Sequence, residues 1–292
     1  MYECVNLNKK NIGKLKELNF IKSEFNVLNE DFFEFYSNCN FAQQIMLKRK
    51  VKLIKNDGDY IGFIWYEHLN KNICTIKSIF CLEKHISYPY KLLLDNIKGK
   101  SIIKYNCQSN DFNFAVLNEI GFAKAQGVLE LSLSKLEFEK FEYNDFLNKN
   151  NLIFREYKKG KDESLRCSIQ NHVFEDENRT PLSVHDIYFD VSQDYYLEKG
   201  AVFLYKATKC IGYGQIILEK EYPFIVNVGI LNDFRGLGYG KILMYHLLNI
   251  INENKYNEVR IKVKSSNFKA LNLYRELGFK ENFETFIWEL KR

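Results

Sequence analysis

Apolar and polar positions in the C-terminal half of the chain switch between two periods, and the switches mark the elements. Residues 152–157 read as a strand, 162–174 as a helix, and 184–192 as a second helix with Ser183 placed to cap its first turn. Residues 201–205 and 211–218 are apolar strands flanking Ala-Thr-Lys-Cys, which predicts a hairpin, and 224–230 is the next strand. Residues 241–252 then carry helical apolar spacing, 258–263 reads as a strand, and a helix running from Asn267 closes at Gly278. Strands and helices mixed in this order imply an α/β or α+β layer.

The pattern occurs twice. Ser266 to Phe279 can be laid without a gap on Ser109 to Phe122, 157 residues earlier, with Ser, Asn, Glu, Gly and Phe matching. Each copy follows a helix-like segment, 241–248 and 90–97, and then a strand-like one, 258–263 and 101–105. Charge and Asn rise over 135–151 and no periodicity holds there, so the chain is predicted to form two domains, 1–140 and 151–292.

The strand ending at Ile230 leads into Arg235-Gly-Leu-Gly238-Tyr-Gly240, and a helix follows at once. Glycines at such a turn let a ligand approach the main chain without interference from Cβ. The first-turn amides, unpaired inside the helix, then point at whatever sits on its positive end, which suits a phosphate or diphosphate. Spacing narrows the choice. Gly240-Lys241 is followed by Ile242, so a Walker loop would lack its Ser or Thr, and Gly-x-Gly-x-Gly is not the Gly-x-Gly-x-x-Gly of a dinucleotide fold.

Arg-x-x-Gly-x-Gly resembles the acyl-CoA motif of the Gcn5-related N-acetyltransferase (GNAT) family, and Asn267-Phe-Lys-Ala270-Leu-Asn-Leu-Tyr274-Arg-Glu-Leu-Gly278-Phe279 is similar to its second signature. The resemblance implies two GNAT-like domains, each a mixed, mostly antiparallel central sheet flanked by helices. It implies that main-chain groups of Val228 and Ile230 pair with the pantetheine arm, and that Arg235, Gly236, Gly238, Tyr239 and Gly240 surround the diphosphate. Asn267 would bond the pantetheine, and Tyr274 would stand near the thioester sulfur as the acid that protonates the departing thiolate. Acetyl-CoA, or another short acyl-CoA, is then the co-substrate, and a primary amine on a small molecule or peptide the acceptor. Direct attack on the thioester asks for no metal or covalent enzyme intermediate. Glu219, after the strand 211–218, is the candidate base, with a water chain as the alternative. Gly278 and Phe279 read as a helix stop and a core residue. Acidic Glu175, Asp176, Glu177 and Asp186 lie in or beside the loop expected to meet the acceptor, where a solvated acidic loop is the competing reading.

The N-terminal copy departs from the pattern. Lys84-His-Ile-Ser-Tyr-Pro89 stands where the glycine turn would be, Pro89 removes an amide donor, and Leu117 takes the place of Tyr274. This half is expected not to bind CoA. A non-catalytic CoA sensor is the competing function; transfer from a charged tRNA would call for a broad basic channel.

Composition adds exclusions. With 42 basic and 37 acidic residues dispersed along 292, the +5 charge does not argue for nucleic acid, and 46% hydrophobic content is that of a folded protein. No apolar stretch is long enough for a membrane span, and the start lacks the pattern of an export signal, so a cytoplasmic monomer or homodimer is expected. The seven cysteines include no Cys-x-x-Cys pair and read as reduced thiols.

Overall fold

The computed structural model describes residues 1–108, 110–134, 140–175, 180–219 and 221–292, with 111 described by its backbone alone. The chain sorts into two compact units: Met1–Val128 with Lys264–Ser266 and Phe283–Arg292, and Leu129–Val263 with Asn267–Asn282.

The first unit contains β1 (Tyr2–Asn6), α1 (Ile12–Phe20), α2 (Phe32–Ser37), α3 (Phe41–Arg49), β2 (Val51–Asn56), β3 (Asp59–His68), β4 (Ile73–Cys81), α4 (Ser87–Asp95), β5 (Ile102–Gln108) and α5 (Asp111–Glu119). Strand β6 (Ala123–Ser134) begins in this unit and ends in the second. The last strand, β12 (Lys280–Lys291), pairs antiparallel with β5, Trp288 opposite Tyr105, and so completes the sheet order β1-β2-β3-β4-β5-β12. A division at 140–151 puts 283–292 with the second half, whereas the structure puts them with the first. The reason is packing. Along β12 the alternate side chains Phe286, Trp288 and Leu290 join the first unit's core, Trp288 fully buried.

The second unit contains α6 (Asn144–Asn150), β7 (Leu152–Glu156), α7 (Glu163–Val173), α8 (Val184–Asp190), β8 (Tyr196–Lys206), β9 (Lys209–Glu219), β10 (Tyr222–Ile230), α9 (Tyr239–Glu253), β11 (Glu258–Lys264) and α10 (Phe268–Glu276). Its sheet order is β6-β11-β10-β9-β8-β7. Helices cover both faces, which explains why β8 reads as an unbroken apolar run: Val202 and Leu204 pack with α9 and α10, while Ala201 and Phe203 pack with α7 and α8. Ser183 caps α8 as expected, its hydroxyl accepting from the Asp186 amide while the Asp186 carboxylate answers the Ser183 amide. All seven cysteines are free thiols.

Both units share one departure from regular pairing. Their strands are antiparallel wherever register is defined except β4 with β5 and β10 with β11, which run parallel. Each parallel pair stays together only at its beginning. β10 and β11 pair at Phe224 with Arg260 and Ile225 with Ile261, then separate; β4 and β5 pair from Ile73 with Ile102 to Ile76 with Tyr105, then separate.

Candidate active site

The split between β10 and β11 leaves main-chain groups at a sheet edge inside the second unit. Leu231 donates its amide to the Ile211 carbonyl on β9 at 2.8 Å. Alternation along an extended strand therefore turns the N–H and C=O of Val228 and Ile230 away from β9, toward the split. The Ile230 carbonyl accepts from Arg235 Nε at 2.8 Å.

β10 runs directly into the glycine turn. Gly236 (φ +78°) and Gly238 (φ +81°) both adopt the left-handed conformation, which a residue with Cβ enters only at a cost. Gly238 caps α9 without any side-chain hydrogen bond, and the first turn of α9 holds no acidic residue. The amides of Tyr239, Gly240 and Lys241 thus have no partner inside the helix, at its positive end. Nothing lies within 4 Å of the space a Cβ on Gly236 would take, while Phe146 rests at 3.5 Å from that space on Gly238.

Two residues of this turn hold it in place with their side chains. Arg235 donates to the Ile230 and Val173 carbonyls, at 2.8 and 2.9 Å, tying the end of β10 to the end of α7. Tyr239 is buried at 3% exposure, and its hydroxyl accepts from Lys206 Nζ at 2.6 Å.

Asn267 caps α10, its side chain accepting from the Ala270 amide at 3.3 Å. Six residues further, Leu273 approaches the space beside Gly240 at 3.9 Å, so α10 flanks the glycine turn. Tyr274 is buried among Leu271, Leu277 and Phe279, and its hydroxyl hydrogen-bonds no described residue. Burial alone pushes its phenol up to about 12. Gly278 (φ +90°) ends the helix as expected.

Glu219, the candidate base, lies at the end of β9. It pairs with Tyr222 across the hairpin at the opposite end of β10 from the glycine turn, and its carboxylate takes a 2.9 Å ion pair from Lys262 Nζ. Of the acidic residues near the acceptor loop, Asp176 and Glu177 lie outside the described residues, and Asp186 is spent on the cap of α8.

The matching split in the first unit is filled by its own chain. Asn29 donates to the Ile79 carbonyl at 2.9 Å and accepts from the Ile79 amide at 3.2 Å, while the Glu30 amide reaches the Lys77 carbonyl at 3.0 Å. On the other side, Asn26 donates to the Asn106 carbonyl at 2.7 Å and accepts from the Gln108 amide at 3.2 Å. Tyr105 lies between them, donating to Asn29 and accepting from Asn26, each at 2.8 Å. Residues 26–30 thereby satisfy both edges of the opening. Pro89 sits in the first turn of α4 and Leu117 is a fully packed core residue.

Several residues near the second unit's split carry no motif. Gly229 is approached so closely by Val173 that any side chain there would collide. Asn227, with φ +55°, sits in a β-bulge where the pairing of β10 with β9 shifts between Val226 and Gly229. Gln215, fully buried on β9, accepts from Asn227 at 3.3 Å, Arg166 at 2.9 Å and Tyr213 at 3.3 Å. Asn227 alone had a sequence signal, an Asn inside an apolar strand; the others are defined by contacts distant in the chain.

Comparison with known proteins bears on the family and the fold. A model of the acetyltransferase (GNAT) family matches residues 170–279, which include the glycine turn and the segment from Asn267 to Phe279. An N-alpha-acetyltransferase of Sulfurisphaera tokodaii is 30% identical over 145 residues, covering 44% of this chain and 86% of its own. A GCN5-related N-acetyltransferase from Sphaerobacter thermophilus superposes over 99% of this chain and 95% of its own, with TM-score 0.67 and 11% identity. A tandem GNAT protein from the clavulanic acid biosynthesis pathway does so over 100% and 98%, with TM-score 0.58 and 11% identity. The chain belongs to the GNAT family and is an acyltransferase of the N-acetyltransferase kind, built as a tandem of GNAT folds. Among the described residues no group of three or more His, Cys, Asp or Glu is placed to hold a metal ion, and no helix is long and apolar enough to cross a membrane.

Proposed function

We propose that the second unit binds an acyl-CoA, with acetyl-CoA the simplest donor, and passes the acyl group to a primary amine. The observation that carries this reading is the continuity of the open edge at Val228 and Ile230 with the uncapped, side-chain-poor turn from Gly236 to Gly240. An amide-bearing arm suits the edge, because it offers donors and acceptors at strand-like spacing. A diphosphate suits the turn, because unpaired amides and the helix dipole favour negative charge.

In this reading the deprotonated amine attacks the thioester carbonyl; the N–C bond forms, and the C–S bond breaks as the tetrahedral intermediate collapses. Tyr274 supplies the proton that the leaving sulfur needs and is reprotonated from solvent. Its burial suits that task, since the neutral phenol is the form the site stabilises. Arg235 and Tyr239 act through their main chain, Asn267 fixes the start of α10 beside the pantetheine, and Glu219 is left to Lys262. The ammonium proton leaves to water. The first unit takes no acyl-CoA, because residues 26–30 already use its split.

Free-thiol release from acetyl-CoA against a panel of primary amines tests the proposal, with Gly238→Ile and Tyr274→Phe run beside the wild type. Release that requires an amine and is lost in Gly238→Ile supports it. Release unchanged in Gly238→Ile contradicts the site, and binding of acetyl-CoA without turnover on any amine contradicts the catalysis.

A further inference from the structure

The bulge on β10 is held from beneath by a buried polar network. Gln215 faces it across β9: Val226 pairs with Gln215 and Gly229 with Tyr213, so Asn227 and Val228 together oppose Gly214. Asn227 has the backbone of a left-handed turn, which glycine would adopt more freely. What asparagine adds is a side-chain amide, and that amide donates to Gln215 Oε1 at 3.3 Å. The same oxygen takes the 2.9 Å bond from Arg166, a residue of α7 at 1% exposure. Gln215 Nε2 donates to Asp190 at 3.3 Å, and Arg166 and Tyr195 bond the same carboxylate. Helices α7 and α8 and strand β9 are thereby joined to a single residue of the bulge.

Such a network is costly to keep. The guanidinium of Arg166 is buried with Nε and one terminal nitrogen making no hydrogen bond, lying instead 5.6 Å from the Tyr157 ring and 5.4 Å from the Tyr213 ring. A buried arginine so incompletely paired adds little net stability over an apolar replacement, and its best-attested use is to specify one arrangement. The arrangement specified here is the bulge, at the point where β10 has parted from β11. From these relationships we propose that Asn227 and Gln215 are positioning residues for acyl transfer. By holding the bulge, they keep the main chain around Val228 turned toward the acyl carbonyl of the bound thioester.

This inference rests on the acyl-CoA reading of the split, and the two fail differently. Isothermal titration of the full chain with CoA and, separately, with acetyl-CoA gives the readout. Asn227→Gly keeps the backbone conformation and removes only the side-chain bond. It is expected to weaken acetyl-CoA binding by about fivefold, the net worth of one hydrogen bond, while CoA binding stays within about twofold. Asn227→Gln, which restores an amide on a longer stem, is expected to recover part of the loss. Equal affinities for wild type and Asn227→Gly with both compounds would overturn the positioning role. So would an equal loss with both, which would mark a general support of the strand. Wild-type protein that binds neither compound would instead overturn the acyl-CoA reading itself.

Discussion

Asn29 and Ile79 exchange two hydrogen bonds, 2.9 Å from the side-chain amide to the carbonyl and 3.2 Å from the backbone amide to the side-chain oxygen. A single asparagine thus gives β4 the partner that a neighbouring strand would give, in the opening where β5 has turned away. Asn26 does the same for β5, so the first unit carries its own substitute for the amides of a bound ligand.

Substitution of Asn29 is therefore a test of stability. Asn29→Leu strands the amide and carbonyl of Ile79, both buried, at roughly 1–3 kcal/mol each. Urea unfolding is expected to show a loss of about 2–6 kcal/mol, with acetyl-CoA affinity unchanged. A second equivalent of acetyl-CoA bound by this variant would contradict the account of the first unit.

Tyr274→Phe is expected to lower kcat by about a hundredfold or more, the usual weight of a placed proton donor, with little change in KM for acetyl-CoA. The pH dependence follows from its burial. A phenol pushed up to about 12 stays protonated through the neutral and moderately alkaline range, so deprotonation of Tyr274 is not expected to limit kcat between pH 7 and 10. A wild-type kcat that falls over that interval, with the fall absent in Tyr274→Phe, would contradict the burial argument.

His246 makes the second unit sensitive to acid. Its ring stacks on Phe154 at 3.8 Å and accepts from the Tyr143 hydroxyl at 2.7 Å when Nδ1 is unprotonated. Burial pushes it down to about 4 from an ordinary value of 6.5, so the fold favours the neutral ring. The contribution, roughly 3 kcal/mol, is fully present above pH 6.5 and is lost as pH falls from 6.5 through about 4. Thermal midpoints measured across that window are expected to drop in the wild type and to flatten in His246→Phe.

Much of the fold was legible because the signals were local. The period of apolar positions placed β8, β9, β10, α9 and α10, and the turn from Gly236 to Gly240 was found because left-handed glycines leave a spacing in the chain. The internal repeat foresaw a second unit with the same order of helix, strand and helix. What escaped were relationships between distant residues. Nothing in Asn26-Val-Leu-Asn29 announces that its two amides will close an opening formed by residues 73–108. The placement of β12 in the first unit depends on Trp288 meeting a core built from the other end of the chain. Arg235 was found through its place in the glycine motif, whereas its two carbonyl partners, Ile230 and Val173, leave no signal in the sequence.

The central claim is that one glycine turn, in the second unit alone, receives the diphosphate of the acyl donor. It is tested most directly by titrating acetyl-CoA into the full chain and into Gly238→Val. Valine at φ +81° costs about 1–2 kcal/mol and sets a branched side chain between Phe146 and the ligand. The account predicts one acetyl-CoA per wild-type chain and none in the folded variant; two per chain, or undiminished binding by Gly238→Val, would contradict it.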